Sequence, residues 1–226
     1  NPTLFCYGDP GVGKTFISSL VIDTLCPLAC RKNLRVFYLY CDYLNHKGRS
    51  ATDLVAGLLR KVVTGLDKTP EAVSQEFENS KKHGDYQRRP LLRDLVNLLG
   101  TVLASFDRAF ICIDALDEFP VLQRLELLCS LAMIVKRWPT IRLFLTGRPQ
   151  IQREIELRLE GAQTMSTKSS VEEIKRYITH RLDRDPNPDE MNPGLAEEIK
   201  TTIPQKVSGM YVEVRCYVTE KFNSLT

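Results

Sequence analysis

The sequence predicts an α/β fold: a three-layer sandwich with a central parallel sheet, followed by a small helical lobe. Three observations carry that expectation. Short β-branched or aromatic apolar runs alternate with amphipathic helical stretches over residues 1–160. The runs do not alternate polar with apolar, which is the pattern of strands covered on both faces. Each run ends in polar or glycine residues, so reactive groups collect at one sheet edge, where open parallel sheets bind ligands.

The elements follow in order. Thr3–Tyr7 is the first strand run, with a helical stretch over Thr15–Leu25 behind it. Arg35–Cys41 is the second, followed by Ala51–Thr64. Leu91–Ser105 sets apolar residues at 91, 92, 95, 98, 99, 102 and 103, one broad helical face. Ala109–Ile113 precedes the helical Leu122–Val135, and Ile141–Leu145 precedes Ile151–Leu159. Strands alternating with helices place the helices on both sheet faces. Past residue 160 the strand pattern stops. Ser170-Val-Glu-Glu173 is a capping box that opens Val171–Leu182. A proline-rich breaker cluster, 185–193, separates it from two further helical stretches, Gly194–Ile203 and Val212–Phe222. The expected division is a sheet domain over 1–160 and a helical lobe over 161–226.

Composition excludes several classes. Apolar residues at 43% and charged residues at 26% are globular values, which argues against a disordered tail, a fibre or a rod. No apolar run approaches the ~20 residues that span a bilayer. The start, Asn1-Pro-Thr-Leu-Phe5, has neither a basic region nor a long apolar stretch, so it does not read as a secretion signal. It enters a strand at once without an initiator methionine, and the chain reads as a piece of a longer protein. A net charge of +3 is too balanced to point to a polyanion. Lys81-Lys82-His83, with Arg88, Arg89 and Arg93, reads as a solvated loop because no aromatic ladder accompanies it. No nucleic acid and no membrane are expected as partners. Cys6, Cys41 and Cys112 lie in strand runs, where cysteine is a small buried hydrophobe. Cys26-x3-Cys30 has no second ligand pair at metal spacing, so reduced thiols and a cytoplasmic location are expected.

Gly8-Asp9-Pro10-Gly11-Val12-Gly13-Lys14-Thr15 matches G-x-x-x-x-G-K-[ST] between a strand and a helix, the context that gives this motif its meaning. Its glycines permit a tight turn whose backbone N–H groups point inward at phosphate oxygens. The helix N-terminus, which Phe16 continues, adds its dipole. Lys14 would reach the β- and γ-phosphates, and the Thr15 hydroxyl would ligate Mg²⁺. Phe110-Ile-Cys-Ile-Asp114 supplies a second Mg²⁺ anchor, Asp114, after a buried strand. Asp117 and Glu118 follow it; either they orient and deprotonate an attacking water, or they are a helix N-terminal charge pair. Arg148, at the end of the fourth strand, either contacts a γ-phosphate or pairs with a carboxylate.

These motifs together resemble a STAND-class P-loop NTPase of the NACHT type, nearest the nephrocystin-type NACHT modules of large fungal proteins. Leu4-Phe-Cys-Tyr-Gly-Asp-Pro-Gly-Val-Gly-Lys-Thr15 is similar to that family's first strand and Walker A loop. Tyr38-Leu-Tyr-Cys-Asp-Tyr43 is similar to its second strand. Ile113-Asp-Ala-Leu-Asp-Glu118 is similar to its Walker B strand with an extra acidic pair, and Leu145-Thr-Gly-Arg-Pro149 to its Thr-Ser-Arg-Pro sensor, with Gly147 in place of serine. The resemblance implies a P-loop NTPase sandwich and a molecular switch that binds ATP or GTP with Mg²⁺ and hydrolyses it slowly. It implies Arg148 as γ-phosphate sensor, and self-association that presents an effector domain. It also implies an N-terminal effector, C-terminal repeats, and a helical lobe that stops before the winged helix. Gly209-Met210-Tyr211 stands where related families set a proline against the base, so Tyr211 or Met210 is a candidate base contact. The competing readings are a motor-type ATPase, a small-molecule kinase, and a scaffold whose nucleotide is structural. No arginine-rich lid favours the kinase.

Overall fold

The computed structural model describes residues 2–29, 33–41, 50–66, 68–82, 90–168, 170–184 and 193–206. The strands are β1 (Thr3–Tyr7), β2 (Leu34–Tyr40), β3 (Arg108–Asp114), β4 (Ile141–Gly147) and β5 (Gln163–Ser166). The helices are α1 (Lys14–Ala29), α2 (Ala51–Thr64), α3 (Glu71–Lys82), α4 (Leu92–Leu103), α5 (Val121–Arg137), α6 (Gln152–Arg158), α7 (Val171–Leu182) and α8 (Pro193–Lys206). Single 3-10 turns lie at Leu116–Glu118 and Pro149–Ile151. The chain divides into two compact units, Asn1–Tyr7 with Lys14–Met165, and Gly8–Gly13 with Ser166–Thr226.

The first unit holds the sheet, in the order β2-β3-β4-β1-β5. β1 runs parallel to β4, β4 to β3, and β3 to β2. Alternate side chains of each strand face opposite sides, and both sides are apolar. Phe5, Ile111, Ile113, Leu143 and Leu145 join the core under α2, α4, α5 and α6. Their neighbours Cys6, Cys112 and Phe144 pack with Ile22 of α1 on the other face. This is the three-layer α/β sandwich expected from the strand runs. α2 starts at Ala51 because Ser50 caps it: the Ser50 hydroxyl accepts from the Asp53 N–H at 3.2 Å, and the Ser50 N–H donates to Asp53 at 2.8 Å. α5 meets α4 through Trp138, whose indole lies so close to Gly100 that any Cβ there would fall inside the ring.

β2 is an outer strand. Cys41 N–H, just past its end, donates to Asp114 O, so residues 35, 37 and 39 face β3 while 36, 38 and 40 turn their backbone outward. Lys61 Nζ of α2 donates to the Tyr38 carbonyl at 3.0 Å and stands 5.0 Å from the Tyr38 ring centroid.

Two sequence expectations fail here. The strand pattern does not end at residue 160: β5 lies beside β1. Its four residues are all exposed and Met165 is the one apolar residue among them, so no apolar run marks it. Lys81 and Lys82 do not belong to a loop; they end α3, a mostly polar helix whose few apolar residues, Ala72, Val73 and Phe77, are too sparse to mark it. His83, Arg88 and Arg89 lie outside the described residues, as do Cys30, Asp42, Tyr43, Met210, Tyr211 and the expected helix Val212–Phe222. α1 also runs beyond Leu25 to Ala29, with Pro27 in its last turn.

The second unit contains the loop Gly8–Gly13 and the pair α7 and α8, which pack together. α7 carries the expected capping box: the Ser170 hydroxyl accepts from Glu173 N–H at 3.2 Å, and the Ser170 N–H donates to the Glu173 carboxylate at 2.8 Å. α7 buries Ile174 and Ile178, and α8 buries Ile199.

Candidate functional site

The glycine loop has the backbone the motif requires. Gly11 and Gly13 adopt φ of 81° and 86°, the left-handed region that a side chain disfavours. Such conformations beside right-handed ones turn successive N–H groups to one side and make an anion-binding concavity. Open space lies where a Cβ of Gly13 would stand. Gly8 is required for a different reason: its Cβ would come within 2.5 Å of the Thr167 carbonyl oxygen and 2.8 Å of Val12 Cγ2. Val12 N–H turns back to Asp9 O at 3.5 Å, closing the loop around Pro10. Lys14 and Thr15 begin α1, and Phe16 is 73% exposed.

Asp114 ends β3 with 5% exposure and anchors a hydroxyl cluster. Its Oδ2 accepts from Thr15 Oγ1 at 2.8 Å. Its Oδ1 accepts from Ser18 Oγ at 2.5 Å and from Thr146 Oγ1 at 2.6 Å. The topology produces this set. Thr15 and Ser18 are three apart on one face of α1, and β4 lies between β1 and β3, so the residue after Leu145, paired with Ile113, falls beside Asp114. Thr146, fully buried, also accepts the N–H of Ala115 at 2.9 Å. Ala115 has φ 54° and ψ 45°, a left-handed residue that redirects the chain from β3 into the acidic turn. The Thr15 hydroxyl beside the Asp114 carboxylate is a hard-oxygen pair of the kind Mg²⁺ takes alongside water and phosphate, so these residues fit that ion.

The acidic turn separates Asp117 from Glu118. The Asp117 side chain is 4% exposed and committed: Oδ2 pairs with Arg148 Nε at 3.0 Å, and Oδ1 accepts the Arg148 N–H at 3.0 Å. Arg148 therefore rests on a carboxylate, one of its two sequence readings. Leu116 and Phe119 anchor the turn in the core. Arg124 of α5, 5% exposed, donates to the carbonyls of Asp117 at 3.3 Å and Phe119 at 2.8 Å. Its Nε and second terminal nitrogen bind both Glu154 oxygens at 2.8 and 2.9 Å. Cys41 sits at the same sheet edge. Burial first, then the charges of Asp114, Glu118 and Asp117, push its thiol up to about 12.

The structure brings Thr15, Asp114, Asp117 and Arg148 to one edge together with Thr146, which the sequence puts at a strand end, and adds Ser18, Arg124 and Cys41, which sequence reasoning missed as members of it. Ser18 was legible from its helical spacing to Thr15. Thr146 was legible as a hydroxyl one residue before the strand end. Arg124 carried no signal, because an amphipathic helix tolerates an arginine anywhere on its polar face.

The same fold occurs in solved structures. The ORC1 protein of Aeropyrum pernix, determined in complex with DNA, aligns with TM-score 0.54 and 14% identity over 90% of this chain and 49% of its own. Cdc6p from Pyrobaculum aerophilum aligns with TM-score 0.50 and 13% identity, over 88% of this chain and 48% of its own. The chain spans about half the length of these structures, and at such identities the likeness is one of fold. No curated protein matches the chain in sequence. Residues 1–148, well over half of the 226, match the family model described as Nephrocystin 3, N-terminal, a stretch that runs from β1 through β4 to Arg148. The chain belongs to the Nephrocystin 3, N-terminal family.

Proposed function

We propose that the chain is a nucleoside-triphosphate-binding switch module of the NACHT type that hydrolyses its nucleotide slowly. The observation that carries this reading is the Thr15–Asp114 contact at 2.8 Å, directly after a glycine loop with two left-handed glycines. In this reading the nucleotide domain is the sheet domain expected over residues 1–160, extended by β5, and the helical lobe follows it. Gly8 to Gly13, with Lys14, cradle the phosphates of ATP or GTP. Mg²⁺, held by Thr15 directly and by Asp114 through a water, would neutralise phosphate charge. Glu118 orients the attacking water. The committed carboxylate of Asp117 holds Arg148, which leaves it for the terminal phosphate when triphosphate is present. Self-association, an N-terminal effector and C-terminal repeats complete the switch in a cytoplasmic full-length protein. Nothing in this reading calls on nucleic acid; the DNA seen with the ORC1 protein is that protein's.

The test is a titration with labelled ATP and GTP. Lys14→Ala removes the cation aimed at the β- and γ-oxygens and abolishes triphosphate binding; unchanged affinity for both nucleotides refutes the site. Arg148→Ala separates switch from scaffold: triphosphate affinity falls much more than diphosphate affinity, because a ligand shifts an equilibrium only through contacts that differ between states. Equal loss for both leaves Arg148 a structural partner and removes the sensor.

A further inference from the structure

Among the described residues Arg124 is the one buried cation, and its guanidinium ties two other pieces of chain together. One edge reads two carbonyls of the acidic turn, Asp117 and Phe119. The other holds Glu154 of α6 in a bidentate pair. The Asp117 carboxylate then grips both the N–H and the guanidinium of Arg148. Arg148 and Glu154 stand at the two ends of one short segment, so the contacts close a ring: acidic turn, Arg148, α6, Arg124, and back to the turn. A buried ion pair adds little net stability compared with apolar packing. What it supplies is geometry: the planar fork of an arginine serves two carbonyls and both oxygens of a carboxylate together.

We infer that Arg124 is a positioning residue, which locks the acidic turn after β3 to the segment after β4 so that Glu118 and Arg148 keep a fixed register. The inference rests on the nucleotide-site reading for its purpose, but its geometry is testable without nucleotide. The experiment uses the full chain, with Glu154→Gln and Arg124→Lys as variants. Ser130→Ala is the stability control; Ser130 is buried in α5 and donates to Glu126 O. Amide hydrogen exchange, read residue by residue in the nucleotide-free protein, reports on the Arg148 N–H, which neither Arg124 nor Glu154 touches in the contacts above. Loss of one charge-assisted contact should speed its exchange by roughly tenfold in Glu154→Gln, and by at least as much in Arg124→Lys. Ser130→Ala should leave it unchanged. In steady-state turnover, Glu154→Gln should lower kcat by roughly tenfold with KM within about twofold, the signature of a group that acts on arrangement rather than binding. If Arg124→Lys does not fold, Glu154→Gln decides alone. Unchanged Arg148 exchange in a folded Glu154→Gln protein, or an equal rise in Ser130→Ala, overturns the inference. A wild-type chain that binds and turns over no nucleotide overturns the proposed function instead, and the exchange result still judges Arg124.

Discussion

Replacing Thr146 by valine deletes one hydroxyl, keeps the β-branched shape that suits a strand, and so isolates what that hydroxyl does. It has two partners. It donates to Asp114 Oδ1 at 2.6 Å and accepts the Ala115 N–H at 2.9 Å. The residue is fully buried, so no water replaces it on the strand side. A hydrogen bond to a charged group contributes about 1.5–3 kcal/mol; the lower end applies because Ser18 still donates to the same oxygen. Ala115 N–H loses its acceptor at a half-buried position, which adds about 1 kcal/mol. The new methyl offsets less than ~1 kcal/mol of this. The expected net loss is about 2 kcal/mol, read as a lower urea midpoint at unchanged m-value in the nucleotide-free chain. Thr146→Ser, which keeps the hydroxyl and removes the methyl, should cost about 1 kcal/mol. In Thr146→Val, Mg²⁺-dependent nucleotide affinity should fall as well, since Asp114 is then steadied by fewer donors. A serine variant less stable than the valine variant would refute the reasoning, because packing and not the hydroxyl network would then dominate.

Four further outcomes follow from the structure. Gly100→Ala forces a methyl into the Trp138 ring and should cost about 2–3 kcal/mol; a wild-type urea midpoint would show that α4 and α5 separate freely. Burial lifts the Cys112 thiol from 9.0 to about 12, as it does Cys41, so the stability each contributes is complete below about pH 9 and is lost as pH rises toward 12. At pH 10 the two together should have lost ~3 kcal/mol; Cys112→Ala should roughly halve the fall in urea midpoint between pH 8 and 10, and an undiminished fall rejects the assignment. Glu118→Gln should leave nucleotide binding intact and slow hydrolysis by roughly 10²-fold; single-turnover assays in which Asp117→Asn alone is slow would name the other carboxylate. Gly147→Ser places a Cβ 2.7 Å from Ile151 Cδ1 and 3.3 Å from Phe5 Cε2, so it should lower stability by about 1–2 kcal/mol unless Ile151 changes rotamer; thermal melts with and without Ile151→Val test this.

What was legible in the sequence follows from what each element buries. β1, β3 and β4 pack on both faces, so they read as apolar runs, interrupted in β4 by Arg142, and β1 falls on the expected residues. β5 covers nothing, and a strand defined only by its backbone partner leaves no side-chain pattern. α2 and α4 bury broad stripes and were readable; α3 is mostly polar and was not. The site divides the same way. The glycine loop and Asp114 belong to local patterns of a few residues. The Arg148–Asp117 pair joins positions 31 apart and the Arg124–Glu154 pair positions 30 apart. They exist because β3 and β4 pair side by side, which brings the segments after them together, a fact of topology that no short window contains.

Lys61 gives the sheet its outer limit. A row of outward backbone groups on β2 is a template for another strand, whether from a second copy or from an unfolding neighbour. Lys61 fills one place in that row with an ammonium and lays its charge against the Tyr38 ring. An incoming strand has to displace that donor and then leave a positive charge stranded beside apolar contacts. Arg35 does the same at the Leu34 carbonyl, so among the described residues two cationic side chains oppose edgewise growth of the sheet here. Neutralising the Lys61 amine, as acetylation does, leaves an amide N–H but removes the charge and the penalty that goes with it, so part of the threshold for accidental polymerisation lies on a modifiable atom.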